Sequence, residues 1–352
     1  MRNPWSPASF QGGGKKRNYF EGWYFKHSGG NDEGVWSFIP GLALGDAPGS
    51  GYAFVQAIEG KTGTSWWFQY PAEDFHAAES GLDIRVGKNR FTEKGIEFDL
   101  FDGNSHISGA FAYGPLSIMK FPFWSPGVMG PFSFVPKMEC NHGLVSLDHR
   151  VDGKVEVDGR AISIVDGRGY IEKDWGHSMP QSWIWTQSND FPVRGDSVML
   201  SVARIPWLGS AFRGFLCVIS HGGEKHLFAT YNGSRIDALS ITDDEVACSI
   251  SRGFARVRDA RVRDARVRGA RVRDAKVRGG KALGESLEIR VTRSRGGILR
   301  APVAGLLSRR IAEAVDARLA VRYTRQGILI FEAESSLAGL EIAGNVNAMA
   351  ET

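Results

Sequence analysis

Cysteine is scarce in this chain, with three among 352 residues, at Cys140, Cys217 and Cys248. They are widely separated and odd in number, which does not make a disulfide framework and fits a reducing cytoplasm. The paired histidines, His142 with His149 and His221 with His226, have neither a nearby cysteine nor an HExxH pattern, so no metal site is expected. No apolar run reaches 18 residues, which excludes a membrane-spanning helix, and the amino terminus lacks the apolar core of a signal peptide. A soluble, cytoplasmic protein is the expectation. There is no GxSxG elbow and no GxxxxGK phosphate loop, and Gly12-Gly13-Gly14-Lys15-Lys16 lacks the preceding strand that nucleotide binding requires.

Excess charge is also nearly absent, except in one place. The formal net charge is +4, but residues 254–279 hold ten Arg/Lys against three Asp, a net of +7 that leaves −3 for the rest. This stretch reads ARVRD-ARVRD-ARVRG-ARVRD-AKVRG, a five-residue unit whose valines line up on neither a strand face nor a helix stripe. It reads as an exposed low-complexity insertion. A phosphate-binding arm is the alternative, but interleaved aspartates and missing aromatics argue against specific nucleic-acid recognition.

Glycine, by contrast, is plentiful at 44 residues, and short runs rich in Val, Ile, Phe and Trp sit between Gly/Asp/Asn turns. That pattern predicts an all-β chain. The length exceeds what one core usually supports, so two domains are expected, 1–178 and 179–352, with 254–279 inserted in the second. Strands are predicted at Val35–Pro40, Tyr52–Glu59, Ser65–Tyr70, Leu82–Val86, Arg90–Glu93 and Gly95–Phe101, and across Lys137–His149. In the second half they are predicted at Val198–Ile205, Gly214–Ser220, Leu227–Tyr231, Glu288–Thr292, Leu319–Tyr323 and Ile328–Glu332. One helix is predicted after Pro302, where Val303, Leu307, Ile311 and Val315 recur at four-residue spacing. Five prolines and many aromatics between Tyr113 and Pro136 read as a long apolar loop, a lid over a cavity mouth. The order fits two β-barrel or sandwich halves with a cavity in or between them.

The most informative stretch is GYIEKDWGHSMPQSWIWTQSNDF, residues 169–191. On a strand, Glu172 and Asp174 share one face while Ile171, Lys173 and Trp175 take the other. If the acids line an apolar cavity, desolvation and mutual repulsion raise one pKa and leave an acid able to donate at neutral pH. Beyond the turn at Met179-Pro180, Trp183, Trp185, Gln187 and Asn189 alternate in register, a wall of indoles ending in two amides that suits a flat apolar ligand with one polar end. Composition admits a second reading, a salt-bridged surface strand followed by a tryptophan core strand.

Near the amino terminus, YFEGWYF (19–25) places Glu21, Trp23 and Phe25 on one face and Phe20 and Tyr24 on the other. A glutamate buried among aromatics needs a partner or a raised pKa, so Glu21 is a second candidate acid, unless it sits at a strand end in water. In MECNHGLVSLDH (138–149), Cys140 and His142 share a face, and His142 is read as a hydrogen-bonding or proton-relay residue.

Taken in order, YFEGWYFKH (19–27), MECNHGLVSLDH (138–149), the 169–191 motif, LRAPVAGLLSRRIAEAV (299–315) and GLEIAGN (339–345) resemble the tocopherol cyclase family. The resemblance implies two lipocalin-like β-barrels, a fold shared with carotenoid hydratases. It also implies an enzyme without a redox cofactor, acting on a prenylated aromatic by proton-initiated ring closure. Such chemistry needs a dry acid, aromatic faces that tolerate a cation, and exclusion of water. Asp174 or Glu172 is the expected donor, with Glu21 as competitor. Trp23, Tyr24, Trp175, Trp183 and Trp185 would contact substrate, with Gln187, Asn189 or His142 orienting the phenol. Peripheral membrane contact would serve substrate uptake. A hydratase or isomerase of another isoprenoid, and a non-catalytic carrier of an apolar ligand, remain as alternatives.

Overall fold

The computed structural model describes residues 3–29, 34–136, 138–253 and 284–350; the ARVRD array lies outside the described residues. The first sheet contains β1 (Tyr19–Ser28), β2 (Val35–Leu44), β3 (Tyr52–Glu59), β4 (Thr64–Pro71), β5 (Phe75–Ala77), β6 (Asp83–Val86), β7 (Asn89–Thr92), β8 (Gly95–Phe101), β9 (His106–Tyr113), β10 (Cys140–Val157) and β11 (Arg160–Gly176). The second contains β12 (Trp183–Ser188), β13 (Ser197–Trp207), β14 (Ser210–His221), β15 (Glu224–Ala229), β16 (Ser234–Ile241), β17 (Glu245–Gly253), β18 (Gly284–Thr292), β19 (Gly297–Val303), β20 (Leu306–Arg325) and β21 (Ile328–Ala343). A four-residue helix, α1 (Asn347–Ala350), follows. The expected all-β class holds.

All pairings are antiparallel. The first sheet runs β4-β3-β2-β1-β11-β10-β9-β8-β7-β6-β5, and the second β15-β14-β13-β12-β21-β20-β18-β17-β16, with β19 paired to the first part of β20 (306–313). Each sheet curls around its own apolar interior, one built on residues such as Trp23, Phe25, Trp36 and Phe38, the other on Leu200, Phe228, Leu287 and Tyr323. A third cluster, including Tyr24, Tyr170, Trp183, Trp185, Ile311 and Val315, packs between the two sheets. Strands with only one covered face alternate in burial, as β8 does, whereas β1 and β12 are buried almost throughout because both their faces are covered. The segment before β1 closes one end of the first sheet: Ala8 and Phe10 pack on its interior, and Trp23 Nε1 donates to the Ala8 carbonyl at 3.0 Å.

The sequence places β3 and β8 at their observed bounds and most other strands within a few residues. The helix expected at Val303–Val315 is wrong: these residues end β19 and begin the 20-residue strand β20. The physical reason is that a four-residue repeat returns to the same face of a strand as well as of a helix, because four is a multiple of two. Leu307, Ile311 and Val315 are buried on one strand face. A register break between Ala314 and Ala317 then swaps the faces, so Ala317, Leu319 and Val321 point into the second interior.

Candidate functional site

Between the sheets lies an apolar cavity of about 180 Å³. It is walled by both sheets and by the 113–136 loop through Met129 and Phe132. Its acidic face comes from β10 and β11. Strand alternation puts Tyr170, Glu172 and Asp174 on the side of β11 that meets the second sheet, and the pairing of His142 with Asp174 brings the imidazole between the two acids. His142 Nδ1 lies 2.9 Å from Asp174 Oδ1, and Nε2 lies 3.4 Å from Glu172 Oε2. Burial alone lowers the basicity of the His142 ring, but the facing carboxylates of Glu172 and Asp174 reverse this and hold its pKa well above the usual value. The imidazole thus sits between two acidic side chains that favour its protonated form.

Glu172 is met only by donors. Tyr170 OH lies 2.5 Å and Trp185 Nε1 3.1 Å from Oε2, and His142 approaches the same oxygen. Asp174 is the more open of the two, with 27% of its side chain accessible against 6% for Glu172. Cys140 Sγ lies 3.8 Å from Asp174, and burial together with that carboxylate pushes the thiol pKa well up, so Cys140 is an uncharged wall residue and not a nucleophile. His142, Glu172 and Asp174 offer ligand atoms within 4.8 Å of one another, a spacing that could hold a metal ion. The ring hydrogen-bonds Asp174 through Nδ1, while Nε2 is buried without a hydrogen-bond partner.

The opposite wall holds two acids that the sequence reading missed. Glu341 on β21 lines the cavity and accepts from Trp183 Nε1 at 2.6 Å. Its cross-strand partner on β20 is Glu313, fully buried, which accepts from Tyr24 OH at 2.6 Å. Ser37 Oγ donates in turn to Tyr24 OH at 2.9 Å. Burial first, then the neighbouring Glu341, raises the Glu313 pKa well above the carboxylate range, and burial pushes Glu341 up to about 7. The GLEIAGN motif was the available signal for Glu341. Glu313 was hidden by the helix reading, which assigned it no paired strand.

Several expected site residues lie elsewhere. Glu21 is on the opposite face of β1, fully buried, 2.6 Å from Lys173 Nζ and bonded by Tyr19 OH (2.5 Å) and the Gln11 backbone N–H (2.9 Å). It anchors the segment that closes the first sheet. Trp23 and Trp175 also face that interior, each with its ring centroid 4.7 Å from Lys173 Nζ. Gln187 and Asn189 keep the alternation of β12 but run past the end of the cavity. Gln187 accepts from Lys26 Nζ at 3.2 Å, and Asn189 bonds Asp148 and the Gly169 carbonyl, both at 2.9 Å, so they tie the sheets together. Tyr24, Trp183 and Trp185 do line the cavity with His142, Glu172 and Asp174. Trp185 lies flat against bare backbone: a Cβ on Gly339 would sit 2.5 Å from its ring.

Residues 127–227, which include His142, Glu172, Asp174, Trp183 and Trp185, match the family model described as tocopherol cyclase-like. The chain carries a tocopherol cyclase-like segment. The chloroplastic tocopherol cyclase of Zea mays is 31% identical over 86 residues, which is 23% of this chain and 18% of that enzyme. The chain thus matches less than a fifth of the length of that relative. Among solved structures, the AttH protein of Nitrosomonas europaea aligns over 93% of this chain and 92% of its own, with 13% identity and a TM-score of 0.47. Kievitone hydratase from Nectria haematococca aligns over 98% of this chain and 96% of its own, with 9% identity and a TM-score of 0.45. Glu313 and Glu341 fall outside the matched tocopherol cyclase-like segment.

Proposed function

We propose that this protein is a tocopherol cyclase-like enzyme that closes a chromanol ring on a prenylated hydroquinone, or a related ring on a kindred isoprenoid. A proton adds to a trisubstituted double bond and leaves a tertiary carbocation. The phenol oxygen forms the new C–O bond to that carbon, and the phenol proton passes to a carboxylate, so the proton count is restored and no redox cofactor takes part. We further propose that residues 1–178 and 179–352 are its two domains, with the reaction in the cavity between the sheets.

The observation that carries this reading is the coexistence, in one apolar cavity, of indole faces with carboxyl groups on opposite walls. Trp183, Trp185 and Tyr24 supply electron-rich faces for the cation. Glu172, met only by donors, adds a fixed negative group beside Trp185. Asp174 and His142, the more open side of this group, suit transfer of the phenol proton. A carrier needs only the apolar wall and has no use for charged groups in it.

The test is to incubate the purified protein with a prenylated hydroquinone and follow the chromanol by mass. In deuterated water the product gains one deuterium on carbon, and in ¹⁸O-labelled water it gains no label. Tight binding without turnover, unchanged in Asp174→Asn and Glu172→Gln, identifies a carrier, and ¹⁸O in the product identifies a hydratase.

The same proposal takes the substrate from a lipid surface. No helix among the described residues is long and apolar enough to cross a membrane. The 113–136 loop instead turns Met129 and Phe132 into the cavity while exposing Phe123 (78%) and Trp124 (76%). Trp5 stacks on Phe123 with centroids 5.5 Å apart, and Lys225, bonded to the Ile118 carbonyl at 2.6 Å, places positive charge nearby. Aromatic side chains of this kind favour the membrane interface. Co-sedimentation with anionic phospholipid vesicles should fall several-fold in the double substitution Phe123→Ser, Trp124→Ser; equal binding removes the loop as the contact.

A further inference from the structure

We infer that Glu341 and Glu313 form a carboxylic acid pair that shares one proton at neutral pH, and that Glu341 presents this proton to the cavity. The inference rests on the proton-transfer reading above and names the group that starts the reaction, in place of Asp174 or Glu172.

The geometry is specific. Glu313 and Glu341 are directly opposed on β20 and β21, and their carboxyl groups are within hydrogen-bonding reach of each other. Tyr24 OH donates to Glu313 Oε1, and Trp183 Nε1 donates to Glu341 Oε2. Glu313 Oε2 is buried with no donor facing it, which is costly for an ionised oxygen and natural for an O–H that points at Glu341. Glu172 and Asp174 face the pair from β11 and oppose its ionisation. Of the cations around it, Lys26 of β1 acts on Glu313 through space but donates to the Leu337 carbonyl at 2.6 Å, Arg300 of β19 lines the same cavity, and the Arg309 guanidinium lies 4.8 Å from the Trp183 ring centroid. Neither arginine makes an ion pair with either glutamate among the described residues.

The two walls therefore divide the work. On the first sheet, His142 supplies a positive charge between Glu172 and Asp174, so that group accepts a proton or steadies a cation. On the second, two directly opposed acids have no ion-pair partner among the described residues, an arrangement that favours keeping one of them protonated. Two like carboxyls held together behave as a single acid with two macroscopic steps. Tyr24, bonded to Glu313 and packed edge-on to Trp185 at 5.2 Å, joins the two walls.

The deciding experiment is an infrared titration of the full-length protein, wild type, Glu341→Gln and Glu313→Gln, in the absence of substrate, beside turnover of a prenylated hydroquinone. The wild type should keep a protonated-carboxyl stretch through neutral pH, above the range in which ordinary carboxylates ionise, and each variant should change that band's frequency or titration midpoint. Turnover should fall about 100-fold in Glu341→Gln, the usual size of a lost general acid. In Glu313→Gln the basic limb of the pH profile should move to lower pH, a shift that a merely structural role for Glu313 does not produce. A band changed in the variants without any wild-type turnover supports the shared proton and counts against the substrate reading alone. A wild type without the band, a band unchanged in both variants, or normal turnover in Glu341→Gln overturns the inference.

Discussion

The two faces of the ribbon formed by β1 and β11 carry nearly the same residue types to opposite ends. On the face turned into the first sheet, Glu21 meets Lys173 at 2.6 Å between Trp23 and Trp175, and every oxygen has a donor. On the face turned to the second sheet, Glu172 and Asp174 share one histidine beside Trp183 and Trp185, and the cavity leaves room against them. The first arrangement is closed and internally neutral. The second sets two acids against one histidine and keeps open volume, and that difference separates an acid locked into packing from one that a ligand can reach.

The sharpest way to break the contrast is to remove the cation on the closed face. Lys173→Met leaves the buried Glu21 without its ion-pair partner, and should cost about 3–5 kcal/mol in denaturant unfolding. Adding Glu21→Gln should recover part of that loss, because the unpaired acid goes with it. Full stability in Lys173→Met alone would show that Glu21 does not depend on its lysine.

On the open face the same kind of change should spare the fold and harm the chemistry. Asp174 is partly accessible, so Asp174→Asn should alter stability by less than about 1 kcal/mol while lowering turnover of a prenylated hydroquinone about 100-fold. Equal losses of stability in Asp174→Asn and Lys173→Met would erase the distinction between the faces.

These faces were only partly legible in the sequence. Alternation alone assigns Glu172 and Asp174 to one side and Lys173 to the other, and it pairs Trp183 with Trp185. It cannot say which side is hollow, because both faces of the ribbon are buried, and Trp23, Trp175 and Glu21 face the first interior instead of the cavity. Lys173 was the clue, since a lysine between two indoles neutralises the acid on its own face. Gln187 and Asn189 fail for a different reason. At roughly 3.3 Å per residue a strand outruns a small cavity, so a correct face does not guarantee a correct depth. Glu313 and Glu341 depend on pairing between β20 and β21, which a four-residue hydrophobic repeat conceals.

pH offers a further separation. The Glu341 carboxyl, raised from 4.5 to about 7, binds a proton in the folded state that the unfolded chain has already lost. Its stabilising contribution is complete below the unfolded value and disappears as pH rises through the folded one. His142, also raised, acts in the same direction at higher pH. Stability should therefore decline from about pH 4.5 through 7 in the wild type, and the decline should flatten in Glu341→Gln. Identical pH curves for the two proteins would mean that Glu341 ionises normally.

The smallest change acts on shape alone. In Gly339→Ala the new methyl meets Trp185 Cζ3 at 2.5 Å and Cη2 at 2.7 Å, contacts that real side chains do not tolerate, so the indole must move toward the cavity. Its Nε1 then leaves Glu172, 3.1 Å away in the native arrangement. Overpacking of this size should cost on the order of 1 kcal/mol. Because the displaced ring belongs to the cavity wall, KM for a prenylated hydroquinone should rise by more than the stability loss accounts for. A comparable overpacking of the first interior, Ala57→Val in the cluster that holds Trp36 and Val55, adds two methyl groups away from the cavity. It should lower stability and leave KM alone, and a rise in KM of equal size in both variants would show that the two faces are mechanically one.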